Sequence, residues 1–210
     1  MNFSRELALK LLQIKAIKIN TQNLFKWASG IQSPIYCDNR LALSYPELRD
    51  FIKKGFVELS TQHAPFDFVG GVATAGIPWG ALLADALDKP FVYVRSASKS
   101  HGRKNKIEGE IDSGKTVLLV EDLISTGGSS LNAVKALREN NNEVKAVVSI
   151  FNYNLKSAFQ NFENANCQFD SLSNYDILLE EAQKINYITE DELNLLKTWK
   201  NDPENWYKKL

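Results

Sequence analysis

The chain has 210 residues, 44% of them apolar, with 25 Lys+Arg balanced by 25 Asp+Glu. That length and apolar content suit a domain with a sizeable core, and a formal net charge of zero leaves no global field to recruit nucleic acid or a membrane surface, so neither is expected as a partner. No apolar run approaches the ~20 residues of a membrane span, no leader is expected from the charged start at Arg5 and Glu6, and Cys37 and Cys167 lack metal-ligand spacing and suit a reducing, cytoplasmic setting.

In chain order, Leu7, Leu11 and Ile14 recur at helical spacing, widened by Ala8 and Leu12, and predict an amphipathic helix over residues 3 to about 18. Residues 25–40 mix aromatic, amide and guanidinium groups; Gly30 and Pro34 interrupt any helix, and Ile35-Tyr36-Cys37 suggests a short strand. This mixture suits a planar, anionic heterocycle, because aromatic faces stack and an arginine can grip a carboxylate with two bonds. An edge hairpin with an Asp38–Arg40 salt bridge is the competing reading. Tyr45-Pro46 opens a second helix with Leu48, Phe51, Ile52, Phe56 and Leu59 on one face, and His63 closes it as a C-terminal cap or surface residue.

A strand over 66–72 then runs into the small-residue loop Ala73-Thr74-Ala75-Gly76 and an Ala- and Leu-rich helix to about Asp88. Backbone amides in such a loop can cradle an anion, although close packing of a helix on a sheet asks for small residues too. A strand over 90–94 leads to residues 95–106, where Arg95, Lys99, His101, Arg103, Lys104 and Lys106 are cationic or titratable and no apolar side chain exceeds alanine. A solvated charge run is the ordinary reading; beside a phosphate site, such a loop can close over a diphosphate and exclude water. Residues 107–111 alternate like a half-exposed strand.

The informative stretch follows. Val117-Leu118-Leu119-Val120 suits a strand buried on both faces of a parallel sheet. Glu121 and Asp122 arrive where that strand is expected to end, and Ser125-Thr126-Gly127-Gly128-Ser129-Ser130 precede an amphipathic helix carrying Leu131, Val134 and Leu137. The two glycines let the backbone approach a ligand, while the hydroxyls and the free N–H groups of a helix start favour an anion such as phosphate. Two carboxylates would repel that phosphate, so they suit neutral hydroxyls or a divalent cation. Together these features describe a phosphorylated sugar. The lysine of a P-loop and a G-x-G-x-x-G run are both absent. A strand over 144–151 and helices over 155–165, 173–185 and 190–199 complete the chain, the last opened by Thr189 and three first-turn acids. The alternation over 66–151 predicts an α/β fold with a doubly wound parallel sheet about five strands wide.

Residues 120–130 resemble the phosphoribosyl-diphosphate (PRPP) signature of the type I phosphoribosyltransferases: an apolar strand, two acids and a T-G-G loop. Over about residues 20–200 the chain further resembles the orotate phosphoribosyltransferase family. Ser29-Gly30, Ser33-Pro34-Ile35-Tyr36 and Asp38-Asn39-Arg40 are similar to its amino-terminal base-site hood, residues 71–78 to its diphosphate loop, and Arg95 through Gly102 to its catalytic loop, an arginine followed by K-x-H-G. Ala75 and Ala28 stand where some members carry lysines, and Ser96 and Ala97 where some have a second basic residue.

The resemblance implies the type I phosphoribosyltransferase fold, a mainly parallel doubly wound sheet with a small N-terminal hood, as one domain over 1–210 with the hood from 20–45. It implies transfer of the 5-phosphoribosyl group from PRPP to orotate, giving orotidine 5′-monophosphate and diphosphate in pyrimidine (UMP) biosynthesis. Arg95, Lys99 and His101 are the implied catalytic residues. Glu121, Asp122, Ser125, Thr126, Gly127, Gly128, Ser129, Thr74 and Ala75 would bind PRPP, and Tyr36, Arg40 and Thr126 orotate. Mg²⁺ is the implied cofactor, held by Glu121 and Asp122 indirectly, mainly through PRPP. A homodimer is implied, with loop 95–106 reaching the partner's active site. A transferase for another base and a PRPP-sensing regulator are the alternatives, and the intact basic loop argues against the regulator.

Overall fold

In the computed structural model residues 2–27, 30–95 and 106–209 are described. Helix α1 (Phe3–Gln13) is capped by Asn2, whose side chain accepts from the Ser4 N–H, and buries Leu7, Ala8, Leu11 and Leu12. It stops at Gln13 rather than near residue 18 because Lys15 takes a left-handed φ of 59° and the chain peels away as strand β1 (Ile17–Ile19). Next come β2 (Phe25–Lys26), β3 (Gln32–Ser33) and β4 (Ile35–Cys37). β2 pairs with β3 and β1 with β4, both antiparallel, so the sequence that mixes aromatic and polar groups forms two short ribbons.

A 3₁₀ turn over Asn39–Ser44 leads to α2 (Pro46–Ser60), which has proline in its first turn and buries Leu48, Ile52 and Phe56 as their spacing predicts. His63 does not lie on the surface. It ends a further 3₁₀ turn, its side chain is 6% exposed, and its Nε2 stands 3.0 Å from Asp170 Oδ2. The remaining elements are β5 (Phe68–Val72), α3 (Gly76–Ala86), β6 (Phe91–Val94), β7 (Ile107–Glu108), β8 (Thr116–Ile124), α4 (Gly128–Glu139), β9 (Glu143–Asn152), α5 (Lys156–Asn164), β10 (Gln168–Asn174), α6 (Tyr175–Lys184) and α7 (Glu190–Trp199).

The central sheet has six strands in the order β10-β9-β8-β5-β6-β7, one more than the expected five or so; β7 alone is antiparallel to its neighbour. The additional strand is β10, which hands over directly to α6 at Asn174, a side-chain cap that accepts from the Ile177 N–H. Successive residues of β8 serve two cores. Leu118 and Val120 pack with α1, α2, α3 and α6, whereas Val117 and Leu119 pack with α4 and α5. A strand apolar on both faces is what a sheet covered by helices on both sides requires.

β8 runs on to Ile124 rather than ending at Val120. β9 keeps pairing with it through Leu123↔Phe151 and Ile124↔Asn152, while the β5 ladder stops at Gly71↔Val120. Glu121 and Asp122 therefore occupy a stretch paired on one side only, at the carboxyl edge of the sheet. The helix after β5 packs on one face and the helix after β8 on the other. That divergence opens the crevice in which ligands bind in open α/β sheets. Among the described residues no helix is long and apolar enough to cross a membrane.

Candidate active site

Between β8 and α4 the chain turns through Ser125, Thr126 and Gly127. Gly127 occupies the N-cap of α4 with φ 83°, a conformation that favours glycine, and no side chain caps the helix. The first-turn N–H groups are thus left for an anion, which the helix dipole also attracts. Thr126, Gly128 and Ser129 are exposed, and Ser125 is half-buried. Asn161 of α5 donates its Nδ2–H to the Thr126 carbonyl (3.0 Å), fixing the loop from behind. Ser130 departs from the expectation that it serves the phosphate: it is buried and donates its hydroxyl to Glu121 Oε2 (3.3 Å).

Glu121 is 6% exposed and its Oε1 also accepts from the Asp122 N–H (3.0 Å). Burial pushes the Glu121 carboxyl well above the ordinary range, and the Asp122 charge pushes the same way. Asp122 is likewise raised by burial, against the opposing pull of Glu121 and Arg40. A raised, paired carboxyl set accepts hydrogen bonds from neutral hydroxyls and gains from any cation brought alongside.

The loop from β5 to α3 stands next to this pair, because Gly76 lies so close to the Val120 carbonyl that a Cβ there would collide with it. Thr74 is exposed and Ala75 half-buried, and the Ala73–Thr74 peptide is cis. On the other side lies the hood. Arg40 donates from Nε to Asp38 Oδ1 (2.7 Å) and from Nη2 to Asp38 Oδ2 (2.9 Å), so the salt bridge weighed as the plain reading is formed. Asp38 is the main reason the Arg40 pKa is raised. Tyr36 is 37% exposed, with its ring 5.8 Å from that of Phe25.

Sequence reasoning missed Asn39 as a distinct group. It is wholly buried, donates its Nδ2–H to the Asp122 carbonyl (2.8 Å) and accepts from Cys37 Sγ (3.2 Å). Nothing in the polar triplet Asp38-Asn39-Arg40 marks the middle residue as the inward one until the 3₁₀ turn is seen. Arg95 stands at the root of the basic loop, its N–H donating to the Lys106 carbonyl and its Nη1 to Glu108 Oε1 (3.2 Å). Lys99, His101, Ala28 and Ser29 lie outside the described residues. The described residues contain no group of three or more His, Cys, Asp or Glu side chains able to hold a metal.

An uncapped helix start, a glycine turn and an acid pair, Glu121 buried and Asp122 half-buried, at a sheet switch point define the class: an α/β protein with a site suited to a phosphorylated sugar. A family model described as the phosphoribosyl transferase domain matches residues 47–166. An orotate phosphoribosyltransferase of Cytophaga hutchinsonii is 49% identical over 209 residues, spanning 99% of this chain and 100% of the relative. That of Listeria monocytogenes serotype 4b is 49% identical with the same coverage. Among solved structures, orotate phosphoribosyltransferase from Aeropyrum pernix superposes with a TM-score of 0.76 at 29% identity, covering 87% of this chain and 99% of that one. UMP synthase of Leishmania donovani gives 0.79 at 27% identity, over 93% of this chain and 42% of that one. The chain belongs to the orotate phosphoribosyltransferase family.

Proposed function

We propose that this protein transfers the 5-phosphoribosyl group of PRPP to orotate, yielding orotidine 5′-monophosphate and diphosphate for pyrimidine biosynthesis. The observation that carries this reading is the uncapped α4 N-terminus at Gly127 beside the Glu121–Asp122 pair, in a chain 49% identical to an orotate phosphoribosyltransferase over nearly its full length. The N–H groups and hydroxyls of 125–129 hold the 5-phosphate, while Glu121 and Asp122 accept from the ribose hydroxyls. With the ring held at both places, its anomeric carbon faces the base lying between Tyr36, Arg40 and Thr126. N1 of orotate forms the new bond to that carbon as the bond to the diphosphate oxygen breaks; the electron pair leaves with diphosphate, whose oxygens can take up the proton that N1 gives up.

Orotate is already an anion, so the protein's chief task is to stabilise charge growing on the leaving group. Arg95, Lys99 and His101 supply positive charge there, with Thr74 and Ala75 offering backbone from the facing loop. Two adjacent carboxylates are too few to cage a divalent cation, but they fit one that brings diphosphate, ribose and water oxygens as its other ligands. Held there indirectly, mainly through PRPP, Mg²⁺ would neutralise part of the diphosphate charge. Loop 95–106 serves the site of a partner subunit in a cytoplasmic homodimer, and the whole chain acts as one domain with residues 20–45 as the hood. Both cysteines are unpaired, which supports a reducing setting.

The test is to incubate the protein with PRPP, Mg²⁺ and orotate, uracil or hypoxanthine in turn. Loss of orotate absorbance that depends on PRPP is the expected result; turnover of another base alone, or binding of PRPP without turnover, overturns the reading.

A further inference from the structure

Asn39 joins the two halves of the site. Its carboxamide is 0% exposed and both ends are used: Nδ2 donates to the Asp122 carbonyl (2.8 Å) and Oδ1 accepts from the Cys37 thiol (3.2 Å). The first bond spans 83 residues of sequence, from the hood to β8. It lands on β8 beyond the last β5 pair, Gly71↔Val120, where the strand has lost its neighbour on that side. The second bond ties the same side chain to β4, whose Tyr36 flanks the base region. A buried amide satisfied at both ends resists displacement, because breaking either bond strands a polar group away from water.

We propose that Asn39 is a positioning residue, setting the hood, and with it the base, in register with the carboxylate pair that holds the ribose. The proposal rests on the transferase reading above. The neighbours of Asn39 in sequence, Asp38 and Arg40, form the outward-facing ion pair of the hood, while Asn39 itself faces β8. The base plane and the ribose are thereby referenced to one bond. Reacting atoms must sit about 3–3.5 Å apart with their orbitals aligned, and a shift near 1 Å costs about 100-fold in rate. With the bond lost, each substrate still finds its own half of the site, but the two halves no longer share a register. The loss therefore falls on kcat rather than on KM.

The experiment measures steady-state rates of Asn39→Ala and wild type, each normalised to PRPP-binding sites counted by calorimetry. The expected result is a kcat per site about 10- to 100-fold lower, with KM for PRPP and for orotate changed by less than about threefold. A residue that only stabilises the fold would lower the number of binding sites and leave kcat per site unchanged, and that outcome overturns the proposal. Should Asn39→Ala fail to fold, the Cys37 anchor supplies the test. Cys37→Val, which removes the donor to Asn39, should lower kcat per site severalfold, and Cys37→Ser, which keeps a donor, should restore it; equal rates for the two overturn the proposal. A wild type without orotate turnover removes the transferase reading itself, whereas an active wild type matched by Asn39→Ala removes this inference alone.

Discussion

Replacing Gly127 with alanine tests the phosphate cradle through two effects that a control can separate. The residue has φ 83° at the N-cap of α4, and a Cβ there would lie 2.5 Å from Phe162 Cε2. Phe162 is 1% exposed and its ring centroid is 4.4 Å from that of Phe169, so it has nowhere to retreat. Left-handed backbone costs a residue with a Cβ about 1–2 kcal/mol, and an overpacked core site adds about 1–3 kcal/mol. The sum, about 2–5 kcal/mol, corresponds to a fall in Tm of about 4–20 °C at roughly 2–4 °C per kcal/mol for a chain of this size. Gly114 is the control: its φ is 82°, nothing lies within 4 Å of a Cβ built there, and it precedes β8 at the opposite edge of the sheet. Gly114→Ala should cost only the backbone part, about 1–2 kcal/mol, with PRPP affinity unchanged. Gly127→Ala should melt lower than Gly114→Ala and weaken PRPP binding about tenfold or more, since one charge-assisted hydrogen bond to a phosphate contributes about 1.5–3 kcal/mol. Calorimetric titration with PRPP and Mg²⁺ and thermal melts of both variants make the comparison. Equal melting temperatures with unaltered PRPP affinity in both would refute the cradle.

The acid pair makes a pH prediction. A carboxyl whose folded pKa is raised contributes stability below its ordinary range and loses it as pH rises towards the raised value, so the ligand-free wild type should lose stability relative to Glu121→Gln above about pH 4. Melts from pH 4 to 8 should show a widening gap that PRPP and Mg²⁺ narrow; a gap independent of pH contradicts the burial argument. Asp122→Asn should raise the Kd for PRPP, as it removes a charge beside the ribose site, and an unchanged Kd sinks that assignment. Lys99→Ala and His101→Ala should lower kcat far more than PRPP affinity; intact kcat in both means that the basic loop plays no part in the chemistry.

Where apolar periodicity and local chemistry agreed, the fold could be read in advance. Pro46 opens α2, Thr189 and Glu192 form a reciprocal capping box at α7, and the order of strand, acids, glycines and helix over 117–139 is as expected. Long-range pairing was not legible. β8 continues through its acids because β9 runs alongside, which no local rule for residues 121–124 contains. β10 is polar at Asp170, Ser171 and Ser173, and its contacts come from afar: the Ser171 hydroxyl meets that of Ser149 (2.6 Å), and Ser173 donates to the Ser4 carbonyl (2.8 Å). His63 reads as a C-terminal cap or surface residue because Asp170, whose Oδ2 stands 3.0 Å from its Nε2, lies on that unforeseen strand. At the candidate site, the residue types proposed to meet ligand can be picked out in sequence, whereas the inward turns of Ser130 and Asn39 depend on which side chain the folded backbone points at β8.

The measurement closest to the central claim follows phosphorus. With PRPP, Mg²⁺ and orotate, ³¹P spectra should show free diphosphate and the 5-phosphate of a new nucleotide rising together in equal amounts, at a rate that depends on both substrates. Diphosphate released together with ribose 5-phosphate and no nucleotide, or no loss of PRPP at all, would contradict the assignment of this chain as the transferase that joins phosphoribose to orotate.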